Sequence, residues 1–242
     1  MYLNTHTYYS LKYGTFNTKE LLKVMQEIGI RTFALTDINN TSASLNFVRL
    51  APKFNIKPVL GIDFRNGADQ LFVAIAHNNK GFKELNEYLS FFLHKKKEIP
   101  ARAPTFKHAF IIYPFTKYDG FELKKLEYIG IKPKDLSRLI YPPHQMNKDK
   151  LVILPTATFR SKVDEKKGER VTLKRDFNAH RLLRAIDKNT LLSKLPKSEE
   201  GDLGDFIYPI DELKDIYASY PYMIENTERL LGQCQVHFDF EG

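Results

Sequence analysis

The hydrophobic pattern of the first third switches between two periods. Tyr2 to Tyr8 is aromatic and β-rich with no helical spacing, and predicts a first strand. Asn17-Thr-Lys-Glu20 then reads as a capping box, a side-chain cap with an acid three residues on. Leu21, Leu22, Met25 and Ile28 follow at helical spacing, and Gly29 ends the helix. Ile30 to Thr36 predicts a second strand around Phe33, Ala34 and Leu35, and Asp37 to Asn40 a polar loop at its C-terminal end. Ser44 to Phe54 predicts a helix interrupted near Pro52. Lys57 to Asp63 and Gln70 to Ala76 are further strands, and Gly81 to Leu93 is a helix carrying Phe82, Leu85, Leu89 and Phe92. Alternation at this spacing predicts an α/β fold with a parallel sheet, barrel or doubly wound.

The rest is less regular. Lys95 to Lys107 reads as a basic, proline-bearing loop, and Ala109 to Tyr113 and Leu151 to Leu154 as strands. Phe121 to Leu126 and Pro133 to Leu139 suggest short helices. The charged run Lys162 to Arg175 is expected as a mobile loop or an exposed hairpin. Asp176 to Ile186 predicts a helix with Asp176 or Asn178 near its cap, and Ser193 to Asp205 a polar, flexible stretch. Helices at Ile210 to Tyr217 and Pro221 to Leu231 and a terminal strand at Gln235 to Phe240 complete the reading. With no repeat and no sharp internal boundary, residues 1–242 read as one domain.

Composition narrows the classes. A chain of 242 residues that is 43% hydrophobic can bury a core without staples. The one cysteine, Cys234, forbids an intrachain disulfide and fits a reducing compartment. No apolar run is long enough to span a membrane and no secretory leader is evident, so the expectation is a cytoplasmic protein with no membrane partner. A formal charge of +8 suggests an anionic partner, nucleic acid first, or equally a basic soluble surface.

Walker, GxGxxG, GxSxG and HExxH patterns are absent. What remains is a set of polar residues at predicted strand ends: Asn4 and His6, Asp37, and Asp63. In a parallel barrel these places share one pole, where catalytic groups gather. One reading is the remnant of a metal or phosphate site. The other gives Asp37 to a turn, Asp63 to a solvated strand end and His6 to hydrogen bonding in the core. One histidine and two carboxylates are too few for a multinuclear cluster.

Residues 3 to 14, Leu-Asn-Thr-His-Thr-Tyr-Tyr-Ser-Leu-Lys-Tyr-Gly, resemble the opening motif of the polymerase and histidinol phosphatase (PHP) domain. More narrowly, they look like the form at the N-terminus of bacterial DNA polymerase III alpha subunits. Phe33 to Asn39, Ile56 to Asp63, Ala76 to Leu85, Phe177 to Ile186 and Tyr220 to Cys234 resemble later motifs of that family, in its order. The resemblance implies a distorted seven-stranded (β/α)7 TIM-like barrel. In active members it holds three metal ions, Zn or Mn, and hydrolyses phosphoesters.

Carried over position by position, the implied ligand set is depleted. The family's first histidine is Asn4 and its second is His6. The aspartate before the glycine is Tyr13. Asp37 is kept, but the histidine after it is Ile38, and the glutamate is shortened to Asp63. A later cysteine or histidine falls near Pro114, and the late Asn-Asp-x-His motif reads Thr156-Ala157-Thr158-Phe159. The resemblance thus implies a degenerate domain that binds no cofactor, with Tyr13, Ile38 and Phe159 filling the pocket. As part of a longer polymerase alpha subunit it would support the polymerase core, whose own Mg site lies outside this chain. It would also be a place to dock a proofreading exonuclease. Arg160, Lys162, Lys166, Lys167 and Arg170 are the candidate contacts to nearby DNA. The competing readings are a metal-dependent phosphoesterase or 3′–5′ exonuclease with altered ligands, and a stand-alone binder of anionic ligands.

Overall fold

In a computed structural model, residues 1–240 are described. The first strand, β1, is only Asn4–Thr5, with Tyr2 making an isolated bridge to Phe33. It stops short of Tyr8 because the chain turns at once. Ser10 N–H returns to the Thr7 carbonyl, and Tyr13 and Gly14 N–H to the Ser10 carbonyl. Helix α1 (Thr18–Glu27) follows, with both halves of the capping box formed by Asn17 and Glu20. After β2 (Thr32–Leu35) comes α2 (Ser44–Leu50), which tightens into a 3₁₀ turn over Ala51–Phe54 where Pro52 prevents a continued α-helix.

Strands β3 (Lys57–Asn66) and β4 (Asp69–Ala76) correct the expectation of uniform parallel alternation: they form an antiparallel hairpin. Only Gly67 and Ala68 join them, with Gly67 at φ +59°. A link that short must reverse the chain, because a parallel return needs a crossover of about a dozen residues. Helix α3 (Asn79–Lys95), capped by Asn78, leads to β5 (Ala109–Pro114) and β6 (Glu127–Ile131). The helix expected over 121–126 does not form, and Pro133–Ile140 is 3₁₀ rather than α.

The main sheet runs β2-β3-β4-β5-β6-β7, with β7 at Leu151–Ile153. Two residues later the same stretch becomes β8 (Thr156–Ala157), which pairs in parallel with β1. β1 in turn bonds to β2, through Ala34 N–H to the Tyr2 carbonyl and Thr36 N–H to the Thr5 carbonyl. The curled sheet therefore returns to its start through 151–157. Counted as one broken strand, that stretch gives seven positions around the sheet, although the continuous ladder holds six.

The segment 161–172 forms the hairpin β9 (Ser161–Val163) and β10 (Arg170–Thr172), the second of the two forms expected for it. Helix α4 (Lys174–Asp187) starts two residues earlier than expected, and Asp176 binds Arg160 instead of capping it. Gln235 to Phe240 forms no strand. It lies along α3, where Asn79 grips the His237 backbone through both its amide N–H (2.6 Å) and its carbonyl (2.9 Å). Helices α5 (Ile210–Ile216) and α6 (Pro221–Gly232) come before it. Leu230, Leu231 and Cys234 pack with Leu3, Ala34, Val59, Ile112 and Val152 as one apolar cluster. Lys57, at the start of β3, bonds to the last carbonyls of α6, which places that helix end at the strand-start pole. The opposite pole is where the polar residues gather.

Candidate functional site

Asp63 is the centre of the polar cluster. It lies in β3, and the ladder to β4 shifts register between Phe64 and Arg65, an irregularity that re-aims side chains. Arg65 is two residues on, so it shares a face with Asp63. Its Nε (3.1 Å) and Nη2 (2.8 Å) both donate to Asp63 Oδ2. The same oxygen accepts His6 Nε2–H at 2.8 Å, while Oδ1 accepts Gln70 Nε2–H at 3.1 Å. The Thr158 hydroxyl donates to His6 Nδ1 at 2.9 Å, which assigns a neutral imidazole carrying its proton on Nε2. Both His6 and Asp63 are fully buried. Burial pushes His6 below its ordinary pKa, and Asp63 offsets only part of this. Burial alone would raise Asp63; the Arg65 guanidinium and the His6 hydrogen bond hold it well below the usual carboxylate range.

A second cation completes the layer. Lys132, just after β6, donates from Nζ to Gln70 Oε1 at 3.0 Å. It lines a cavity of about 100 Å³ together with Thr156, Asp202, Asp205 and Tyr208. Burial lowers the Lys132 pKa against the pull of Asp205, and burial raises Asp205 to about 6.

The other positions singled out in the sequence divide. Asp37 serves the turn after β1, accepting Thr7 N–H (2.6 Å), the Thr7 hydroxyl (2.7 Å) and the Ser10 hydroxyl (2.8 Å). Burial raises its pKa to about 6 despite these bonds. This is the turn role that the sequence left open. Asp63, in contrast, is no solvated strand end. Asn4 accepts the Thr36 hydroxyl at 3.1 Å and reaches Thr156 with its amide N–H at 3.4 Å. Ala157 is buried, and its carbonyl accepts His6 N–H. Ile38 is half-buried beside Asp63, and Pro114 ends β5 opposite Gly130.

Tyr13, Phe159 and His180 form an aromatic lid. Tyr13 meets His6 edge-on at 5.7 Å and His180 at 4.5 Å, and Phe159 meets His180 at 5.2 Å. His180 Nδ1–H donates to the Tyr13 carbonyl (2.7 Å), and its Nε2 accepts Gly201 N–H (2.7 Å). Burial lowers His180 to about 4. A Cβ on Gly201 would lie 2.9 Å from the Tyr13 hydroxyl oxygen, so a glycine is needed for this close approach. Ser193 to Asp205 is thus tied to the lid through Gly201.

Sequence reasoning missed Arg65, Gln70, Lys132, Thr158 and His180 as members of the cluster. The i, i+2 spacing of Asp63 and Arg65 was a usable signal; nothing local pointed to Lys132. Of the basic residues proposed for DNA, Arg160 is held bidentately by Asp176 and Arg170 by Glu212. Lys162, Lys166 and Lys167 are exposed, with Asp164, Glu165 and Glu169 among them.

The donor set does not fit a multinuclear metal centre. Ile38, Ala157 and Phe159 offer no donor side chain, and Asp63 and His6 already serve each other and Arg65. Among the described residues, no group of three or more His, Cys, Asp or Glu side chains is placed to hold a metal ion.

Comparison with known families bears on this pole directly. The family model described as the PHP domain matches residues 3–120. That match covers just under half of the chain. The matched segment runs from Leu3 through His6, Asp37, Asp63 and Arg65 and ends before β6. DNA polymerase III subunit alpha of Bacillus subtilis is 23% identical over 266 aligned positions, covering 98% of this chain and 23% of that protein. The Ureaplasma parvum subunit of the same name is 30% identical over 95, covering 39% of this chain and 10% of its own length. The chain therefore spans under a quarter of these relatives. A solved Bifidobacterium adolescentis structure, provisionally named a metal-dependent phosphoesterase, aligns over 89% of this chain and 94% of its own. Its identity is 10% and its TM-score 0.31. No helix among the described residues is long and apolar enough to cross a membrane.

Proposed function

We propose that residues 1–242 are one non-catalytic PHP domain that works as part of a DNA polymerase III alpha subunit. Its role is structural support of the polymerase core, and it offers a surface to a proofreading exonuclease. In this reading DNA-directed DNA synthesis belongs to the rest of the subunit, which acts in the cytoplasm, and the domain binds no metal. One observation carries the loss of catalysis: Arg65 occupies Asp63, the carboxylate that a metal would need, with two hydrogen bonds to one oxygen. The kinship with alpha subunits across 98% of the chain supports the wider assignment.

The test is metal analysis of the protein purified without chelator, paired with hydrolysis of a 3′-labelled oligonucleotide. Substoichiometric metal and no hydrolysis are expected. Two or more tightly held transition-metal ions per chain would overturn the reading in favour of a phosphoesterase or exonuclease with altered ligands. For the exonuclease partner, co-purification of the full alpha subunit with its proofreading subunit should depend on this domain. Undiminished co-purification after its deletion would remove that role.

A further inference from the structure

Histidines gather at the strand-start pole, away from the polar cluster. Strands β4 and β5 pair Val73 with Ile112 and Ile75 with Phe110, and these four side chains belong to the apolar cluster that includes Leu230 and Leu231 of α6. One more step of the same register sets His77 opposite His108, where His77 N–H donates to the His108 carbonyl at 2.9 Å. Both imidazoles therefore stand on the face of that cluster, and the His77 ring lies 5.5 Å from Phe110. The chain returns here after α6: Gln235 N–H bonds the His77 carbonyl, and Asn79 fixes the backbone of His237. His77, His108 and His237 line one cavity of about 550 Å³ with Lys80. A Cβ on Gly81 would collide with the His108 carbonyl, so α3 is pressed against the same backbone and holds it in place.

No carboxylate lines this cavity among the described residues. The acids nearest in sequence are Glu84, which accepts Lys107 N–H, and Asp239, two residues past His237. Lys57 is bonded to the last carbonyls of α6, and burial pushes the Cys234 thiol up to about 12, so it stays neutral. Histidine is the side chain whose charge ordinarily changes between about pH 8 and pH 5. Like charges directly opposite on an antiparallel pair repel, so charging His77 and His108 calls for an anion between them. A metal ion does not fit, since among the described residues no three such side chains are placed to share one. The N-terminus of α3 is already capped by Asn78, which leaves the imidazoles and the Lys80 ammonium as the cationic donors.

We propose that His77, His108 and His237, with Lys80, form a binding site for a tetrahedral oxyanion, a phosphate group above all. The site stands apart from the strand-end pole and does not depend on whether that pole holds a metal. Isothermal titration calorimetry of the 242-residue chain with sulfate, a dianion throughout the range, tests it at about pH 8 and about pH 5.5. One saturable site is expected, with affinity rising about tenfold or more at the lower pH as the imidazoles charge. His77→Gln with His108→Gln should abolish that rise, and His237→Gln, in the exposed tail, should weaken it. If the double variant fails to fold, His237→Gln carries the test alone. No saturable binding by the unaltered chain at the lower pH would overturn the proposal. So would an unchanged rise in His237→Gln or in a folded double variant, or a failure of inorganic phosphate to displace sulfate. Displacement by a 5′-phosphorylated tetranucleotide but not by its 5′-hydroxyl form would support the site and assign it to a nucleic-acid end. Displacement by inorganic phosphate alone would support it as a site for the free ion.

Discussion

His180 shows how a residue's role can lie outside its neighbours in sequence. It sits inside a helical stretch, which hides that its ring bridges two loops from distant parts of the chain. Its pKa is lowered to about 4 from an ordinary 6.5, so protons prefer the unfolded state across that interval. The contribution is whole above pH 6.5 and declines as pH falls toward 4, by roughly 3 kcal/mol in total. His180→Gln, which keeps one donor and one acceptor, should flatten this part of the curve in urea unfolding measured between pH 4 and 7. An unchanged slope would mean that His180 is not the group responsible. Asp63 acts at the other end of the scale. Its depressed pKa stabilises the fold above about pH 4 and is lost in stronger acid.

Restoring the family's ligands is also a question for single residues. Asn4→His, Ile38→His, Ala157→Asp and Phe159→His together should not recover metal binding, because Arg65 still fills the oxygen that a metal would use. The same variant should be strongly destabilised. Phe159 is fully buried, and Ala157→Asp puts a carboxylate at a fully buried position. Stoichiometric metal in a folded quadruple variant, measured by elemental analysis, would refute this.

At the level of elements, the close junctions matter more than the helices. Gly201 links the segment after α4 to the lid over His6, with room for a hydrogen but not a methyl. Gly201→Ala should cost roughly 1–3 kcal/mol, the usual range for overpacking. Asn17→Ala, which breaks an exposed capping box on α1, should cost about 1 kcal/mol. Denaturant unfolding of both variants checks the order; a larger loss for the cap would place the weak point in α1 rather than at the lid. The β3–β4 hairpin matters for a different reason. Its two-residue turn and register shift bring Arg65 opposite Gln70, and so build the polar cluster from adjacent strands.

For the whole molecule, net charge is a poor guide to where DNA would be met. The sequence gathers basic residues at 160–170, but the fold uses Arg160 and Arg170 in bidentate ion pairs. The hairpin then carries Lys162, Lys166 and Lys167 among three acids. Replacing these lysines together with glutamate should change affinity for a short duplex less than about threefold at moderate salt, since few phosphate contacts are at stake. Fluorescence anisotropy would show it, and a larger loss accompanied by a shallower salt dependence would assign the hairpin to DNA after all.

The sequence by itself determined the α/β class, most of the strands and helices of the first half, and the capping box at Asn17. Those follow from periodicity and local side-chain chemistry, which need no distant partner. It also marked His6 and Asp37 as strand-end residues, whereas Asp63, expected at a strand end too, lies inside β3, which runs on to Asn66. Only the tertiary structure decided what they do. Asp37 turned inward to Thr7 and Ser10, while Asp63 met His6, Gln70 and Arg65. The antiparallel return of β4 depended on a link too short for a crossover, and β1 was cut short by backbone turns. Lys132 could not be placed from the sequence at all, because its partner Gln70 is 62 residues away and is reached only when the sheet curls.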